Sequence, residues 1–158
     1  MAATALPEAE ARVLCAVPKM ASASAAAWQQ GVKPGALKNT FGVVCDPPRR
    51  GLVVEVYINR GHKVKRRTLN FGLWDTRAGG FDRAYQLTVA DATSPTHTEQ
   101  GVTWFGSHEH MGEAATKLNN LDTITFADAL KRFCATVSLV LEEPLEDPID
   151  PSNFALKP

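Results

Sequence analysis

The sequence predicts an α+β fold, an antiparallel β-meander of about four or five strands packed by N-terminal and C-terminal helices. Three observations predict it. A helix-forming segment follows Pro7, and several β-rich runs follow one another between Thr40 and His110 with no crossover helix between them. A stripe of apolar residues at helical spacing then runs from Phe126 to Leu141.

The first helix is expected over Pro7 to Val17: Pro opens it, Glu8 and Glu10 favour its positive end, and Pro18 stops it. Met20 to Gln30 is rich in Ala and Ser and reads as a second short helix closed by Gly31, before a loop at Pro34-Gly35. Leu52 to Ile58 reads as a strand with Leu52, Val54, Val56 and Ile58 on one face. Asn59-Arg60-Gly61-His62 suits a hairpin turn. Lys63 to Trp74 returns with Leu69, Phe71 and Leu73 on one face; Val64 is out of phase, which predicts a bulge near Arg66-Arg67. Arg83 to Ala90 places Tyr85, Leu87 and Val89 inward, Asp91 to Gly101 reads as a polar loop, and Val102 to His110 as the last strand. Thr125 and Asp128 form an imperfect capping box for a helix whose core stripe is Phe126, Leu130, Phe133, Val137 and Leu141. Residues 1–141 are thus expected to make a single domain, and residues 142–158 an acidic, proline-rich C-terminal arm.

Bulk properties narrow the function classes. Seventeen basic residues balance seventeen acidic ones, so no global charge draws the chain toward nucleic acid or membrane. No apolar run approaches the roughly 18 residues of a membrane span, and the Ala-rich N-terminus lacks the early basic residues of a signal peptide. A cytoplasmic location without membrane partners is the expectation. Cys15, Cys45 and Cys134 are odd in number and widely spaced, which disfavours a disulfide framework or a cysteine zinc knuckle. Cys134 falls on the helix stripe and reads as core.

The segment Gly106-Ser107-His108-Glu109-His110 carries the most chemistry. On a strand, His108 and His110 project together while Glu109 points away. A hairpin would return His97 to the same edge, and Asp91 is placed to orient an imidazole. Such a cluster can divide general base and general acid roles or share a metal ion, or it can be ordinary half-exposed strand and loop residues. No HExxH motif is present, and His108-x-His110-x-x-Glu113 only approximates the first cupin motif, whose later histidine signature is missing. No metal or other cofactor is assigned on spacing alone. Ser107 lacks a GxSxG elbow, and no phosphate-binding glycine loop occurs.

A second feature is basic: Arg49, Arg50, Arg60, Lys63, Lys65, Arg66 and Arg67 cluster around Glu55, with Tyr57 and Trp74 nearby. Arg60, Lys63, Lys65, Arg66 and Arg67 are candidate nucleic-acid contacts. Equally, such charges protect an edge hairpin from aggregation.

With these segments in hand, the chain resembles an uncharacterised family of small bacterial and prophage-borne proteins with a C-terminal His-x-His strand. The matching segments are Leu52 to Arg60, Tyr85 to Asp91, His97 to Gly101 and Ser107-His108-Glu109-His110. The His-x-His strand is also distantly similar to that of TumE-type toxins. The resemblance implies a toxin-like or mobile-element protein with a ribonuclease or other nucleic-acid-directed activity and histidines as the working groups. The His cluster near the basic hairpin makes metal-independent RNA cleavage by His108 and His110 the leading expectation, with His97 and Asp91 in support and Arg60 or Arg66 holding phosphate. Two positions depart from the pattern, Val89 where a basic residue is expected and Ser107 where Pro is expected. The implied partner is RNA or a protein, either a cognate antitoxin or a host complex. Alternatives are a non-enzymatic inhibitor of a host defence complex and a cupin-like metal-binding protein.

Overall fold

The computed structural model describes residues 4–22, 28–33, 35–59, 68–119, 121 and 124–148. In chain order the elements are β1 (Thr4–Ala5), α1 (Glu8–Ala16), β2 (Lys19–Ala21), β3 (Gln29–Gln30), β4 (Leu37–Gly42), β5 (Val44–Cys45), β6 (Leu52–Asn59), β7 (Thr68–Asp75), β8 (Asp82–Val89), β9 (Pro95–Glu99), β10 (Val102–Phe105), β11 (His108–Met111), β12 (Ala114–Lys117), α2 (Phe126–Val137) and β13 (Leu139–Leu141).

The α+β class is as expected, but four or five strands understate the sheet. Its main body has eight strands, ordered β12-β11-β8-β7-β6-β4-β3, with β1 paired in parallel to β8. Two smaller sheets accompany it, the β9–β10 hairpin and β13-β2-β5. The additional strands are short or irregular in polarity, so alternation does not betray them: β4 buries Asn39 beside Phe41. The long central strands β6, β7 and β8 do carry the alternation, and their neighbours pair antiparallel.

The inward faces fall where the pattern puts them. Leu52, Val54, Val56 and Ile58, then Leu69, Phe71 and Leu73, then Tyr85, Leu87 and Val89 are all buried. Both helices cover this face. Phe133 of α2 stacks on Phe71 with ring centroids 5.8 Å apart and lies 5.9 Å from Tyr85. Each such buried side chain is worth about 1.5–3 kcal/mol of transfer free energy, which outweighs the weak intrinsic preferences of the segments it joins.

Helix α1 ends before Pro18 as expected, and α2 begins at Thr125, whose hydroxyl accepts from the Asp128 amide at 3.1 Å. Helix α2 closes at Ser138 in the left-handed region, so Leu141 belongs to β13 rather than to the helix. Met20 to Gln30 is not a helix in its described part: Lys19–Ala21 is a strand held between β5 and β13. Inter-strand pairing overrides the local alanine preference there. The expected turn at Asn59-Arg60-Gly61-His62 and bulge at Arg66-Arg67 fall on 60–67, outside the described residues; a register shift does occur at Leu73/Trp74. Of the C-terminal arm, 142–148 are described, and Leu145 joins the core.

Two further corrections shape the site. Residues 91–101 are not simply a loop, because Pro95–Glu99 pairs with Val102–Phe105 around Gln100 and Gly101, both at positive φ. That conformation matches the twist of a tight hairpin. Nor is Val102 to His110 one strand: Gly106, at φ +87°, breaks it into β10 and β11. An L residue disfavours that backbone region, and glycine enters it freely.

Candidate metal centre

Strand β11 lies between β8 and β12, with His108 opposite Thr88 and His110 opposite Gln86. Its alternate residues face the helices: Glu109 accepts a 2.6 Å hydrogen bond from the Tyr85 hydroxyl, and the Met111 sulfur lies 3.7 Å from that of Cys15 in α1. His108 and His110 therefore project from the opposite face. The β9–β10 hairpin is tied down next to them by Gly106 N–H donating to the Ser94 carbonyl and by the Thr96 hydroxyl donating to Gly106 O. It delivers His97, which sits opposite Trp104 in the hairpin register.

The three rings meet. Their centroids are 5.2 Å apart for His97–His108, 4.7 Å for His97–His110 and 4.9 Å for His108–His110. One ring nitrogen from each lies within 4.8 Å of the others. His108 and His110 are each only 4% exposed, whereas the His97 side chain keeps 20% of its surface and opens the cluster to solvent. Trp104 packs edge-on against His97 at 5.1 Å.

The Nδ1 atoms of both His108 and His110 are buried and have no hydrogen-bond partner. A buried polar atom left so costs about 1–3 kcal/mol. Burial pushes the His108 pKa down to about 4, helped by His97 and Arg83 and opposed by the backbone of Gly106. Burial pushes His110 down to about 3, with Arg83, His108 and His97 adding to the effect. Both rings are neutral at pH 7. His97 differs: its Nε2 lies 2.7 Å from the Glu99 carboxylate, two residues along the same strand. With Nε2–H donating to Glu99, Nδ1 of His97 is left with a free lone pair.

Neutral imidazole nitrogens are what a transition metal takes. A tetrahedral zinc site, with Zn–N of about 2.0–2.1 Å, needs ligand nitrogens roughly 3.4 Å apart. The trio brings one nitrogen of each ring within 4.8 Å of the others, so the rings would have to draw together to hold an ion.

The other candidates are placed elsewhere. Asp91 Oδ1 accepts from the Thr93 amide and hydroxyl, both at 2.7 Å, shaping the turn that leads into β9. The carboxylate on an imidazole is that of Glu99. Arg60, Lys63, Lys65, Arg66 and Arg67 lie outside the described residues. Arg49 is paired with Asp75 at 2.8 Å, which takes it out of a free basic patch. Ser107 is 4% exposed and exchanges hydrogen bonds with the backbone of Ala90, a structural tie. Burial raises the Cys15 and Cys134 thiols to about 11, which keeps them protonated and unreactive.

Glu99, Trp104 and Arg83 are the participants that sequence reasoning missed. The signal for Glu99 was His97-x-Glu99, an alternate-position pair that matters only once 95–99 is known to be a strand.

Fold and site together define a class: an α+β protein whose helices cover one face of a largely antiparallel sheet and whose other face carries a tris-histidine cluster with two rings buried and the third partly exposed. No family model matches the chain, and no curated protein or solved structure does either. Among the described residues no helix is long and apolar enough to cross a membrane.

Proposed function

We propose that this chain binds one divalent transition-metal ion of the zinc class through His97, His108 and His110. The observation that carries the reading is the convergence of three imidazoles, two of them sealed with unpartnered Nδ1 atoms. Glu99 serves as the orienting carboxylate behind His97. Three protein ligands leave a tetrahedral position open, the arrangement of catalytic rather than structural zinc sites. Such an ion, held by His97, His108 and His110, would supply Lewis acidity suited to hydrolytic chemistry. The protein's part is to hold three neutral donors, to exclude bulk water with Trp104 and the hairpin, and to fix the His97 tautomer.

Metal-independent RNA cleavage by His108 and His110 is the competing reading, and the same convergence of rings favours it. It requires one imidazole to carry a proton near neutrality. Burial holds the pKa values of both His108 and His110 well below the ordinary histidine value, which disfavours the protonated form near pH 7. Proton donation by this pair is therefore the weaker use of the geometry.

Chelator-stripped protein should take up one equivalent of Zn(II) in a competition titration, and His108→Ala or His110→Ala should weaken uptake at least a hundredfold. Protein that refuses zinc, nickel, cobalt and iron, yet cleaves RNA in a chelator, would move the site to the acid–base reading.

A further inference from the structure

A divalent ion held by three neutral imidazoles keeps its full charge, and the surroundings add to that charge rather than cancel it. Arg83, at the start of β8, is half-buried, and its Nε donates to the carbonyl of Gly112 at 3.2 Å. Gly112 is two residues beyond His110, so the guanidinium is anchored at the end of the strand that presents His108 and His110. That bond is the hydrogen bond Arg83 makes among the described residues, and among them no carboxylate pairs with it. A partly desolvated guanidinium without a counter-ion is costly to keep unless it has an anion to meet. Glu99, the acid at the trio, is already engaged by His97. The nearby acids have other surroundings: Asp82 accepts from the Thr4 hydroxyl, Glu109 is bonded to Tyr85 on the helix face, and Glu113 is exposed.

We infer that the centre is built for an oxyanion, a carboxylate- or phosphate-bearing small molecule, with Arg83 as the side chain that receives it beside the metal. The inference rests on the metal-binding reading above. The planar fork of an arginine fits two oxygens of a carboxylate or phosphate at once. The neighbouring strand supplies polar footing on the same face: Gln86 lies opposite His110, Thr88 opposite His108, and Thr88 Oγ1 donates to Asn70 Oδ1 at 2.7 Å. Gln86 is partly exposed, and its Nε2 makes only a long 3.5 Å hydrogen bond to Asn70 Oδ1, which leaves its second N–H and its Oε1 for the remainder of such a ligand. His97 and Trp104 bound the opening on the hairpin side.

The test uses Co(II)-loaded full-length protein, whose visible absorption reports the metal's ligand shell. Acetate and inorganic phosphate are titrated separately, and the one that perturbs the band at lower concentration identifies which oxyanion the site prefers. Arg83→Ala should weaken that titration about tenfold or more without weakening Co(II) uptake, since the change removes a like charge from beside the cation; Arg83→Lys, which keeps a charge but loses the fork, should fall between and serves if the alanine variant does not fold. Cobalt uptake with no response to either anion, or an Arg83→Ala titration equal to that of the wild type, overturns the inference while the metal reading stands. A chain that takes up no Co(II) overturns both.

Discussion

Two imidazoles at alternate positions of one short strand have to be neutral before they can serve a metal, and burial enforces that here. His108 and His110 sit against the sheet with 4% exposure each, and desolvation leads the causes that lower their pKa values. His97 is held differently, by a carboxylate instead of by burial. Glu99→Gln keeps the shape and loses the charge that fixes the His97 tautomer. It should weaken zinc binding by about 10- to 100-fold without changing the thermal midpoint of the metal-free protein. Zinc affinity equal to wild type in a competition titration would show that Glu99 is a bystander. Ser107 illustrates the opposite outcome at this scale: flanking the trio in sequence, it is spent on the Ala90 backbone.

Among the elements, the β9–β10 hairpin and the break at Gly106 do most to make the site, because they turn one expected strand into two and fold His97 back onto the second. The other junction of interest is Lys19. The residue is 3% exposed, and the three N–H groups of its ammonium donate to the carbonyls of Leu14, Val17 and Val137, with Cys15 O sharing one of them at 3.4 Å, so it closes the carboxyl ends of both helices from a strand between them. Helix C-termini carry partial negative charge and unpaired carbonyls, which a cation satisfies. Burial nevertheless lowers the Lys19 pKa, since desolvation opposes the charge. Lys19→Met preserves the stem and strips the donors from all of these carbonyls. A loss of about 3 kcal/mol is expected in urea unfolding, with zinc affinity retained because the contact lies on the helix side of the sheet. A loss under about 1 kcal/mol would mean that water replaces the ammonium.

For the molecule as a whole, the buried histidines couple folding to pH. Their native pKa values, about 4 and about 3, lie below the ordinary histidine value of 6.5. The unfolded chain therefore binds more protons as pH falls below 6.5. The stability linked to these rings is complete above that pH and is lost progressively down to about pH 3. Each tenfold difference in proton affinity is worth about 1.4 kcal/mol, so the metal-free protein should lose several kcal/mol over this window. Urea midpoints measured from pH 7.5 to pH 3.5 on metal-free wild type and on the His108→Gln/His110→Gln variant would check this. Parallel curves for the two proteins would refute it, because carboxylate titration is common to both.

What could be read from residues alone was whatever depends on local periodicity. The faces of β6, β7 and β8, the cap and stripe of α2, the stop at Pro18 and the shared side of His108 and His110 all follow from side chains that alternate or recur at helical spacing. Sequence also suggested that a hairpin would carry His97 back to that edge. Tertiary structure alone decided how close the rings come, that Glu99 rather than a more distant acid holds His97, and that Arg83 arrives from a neighbouring strand. It also decided that Lys19–Ala21 is a strand despite its alanine-rich continuation. The physical reason is common to these cases. Burial, inter-strand pairing and the convergence of groups far apart in the chain are set by neighbours that the local pattern does not contain, and those same factors fix the charge state on which the metal centre depends.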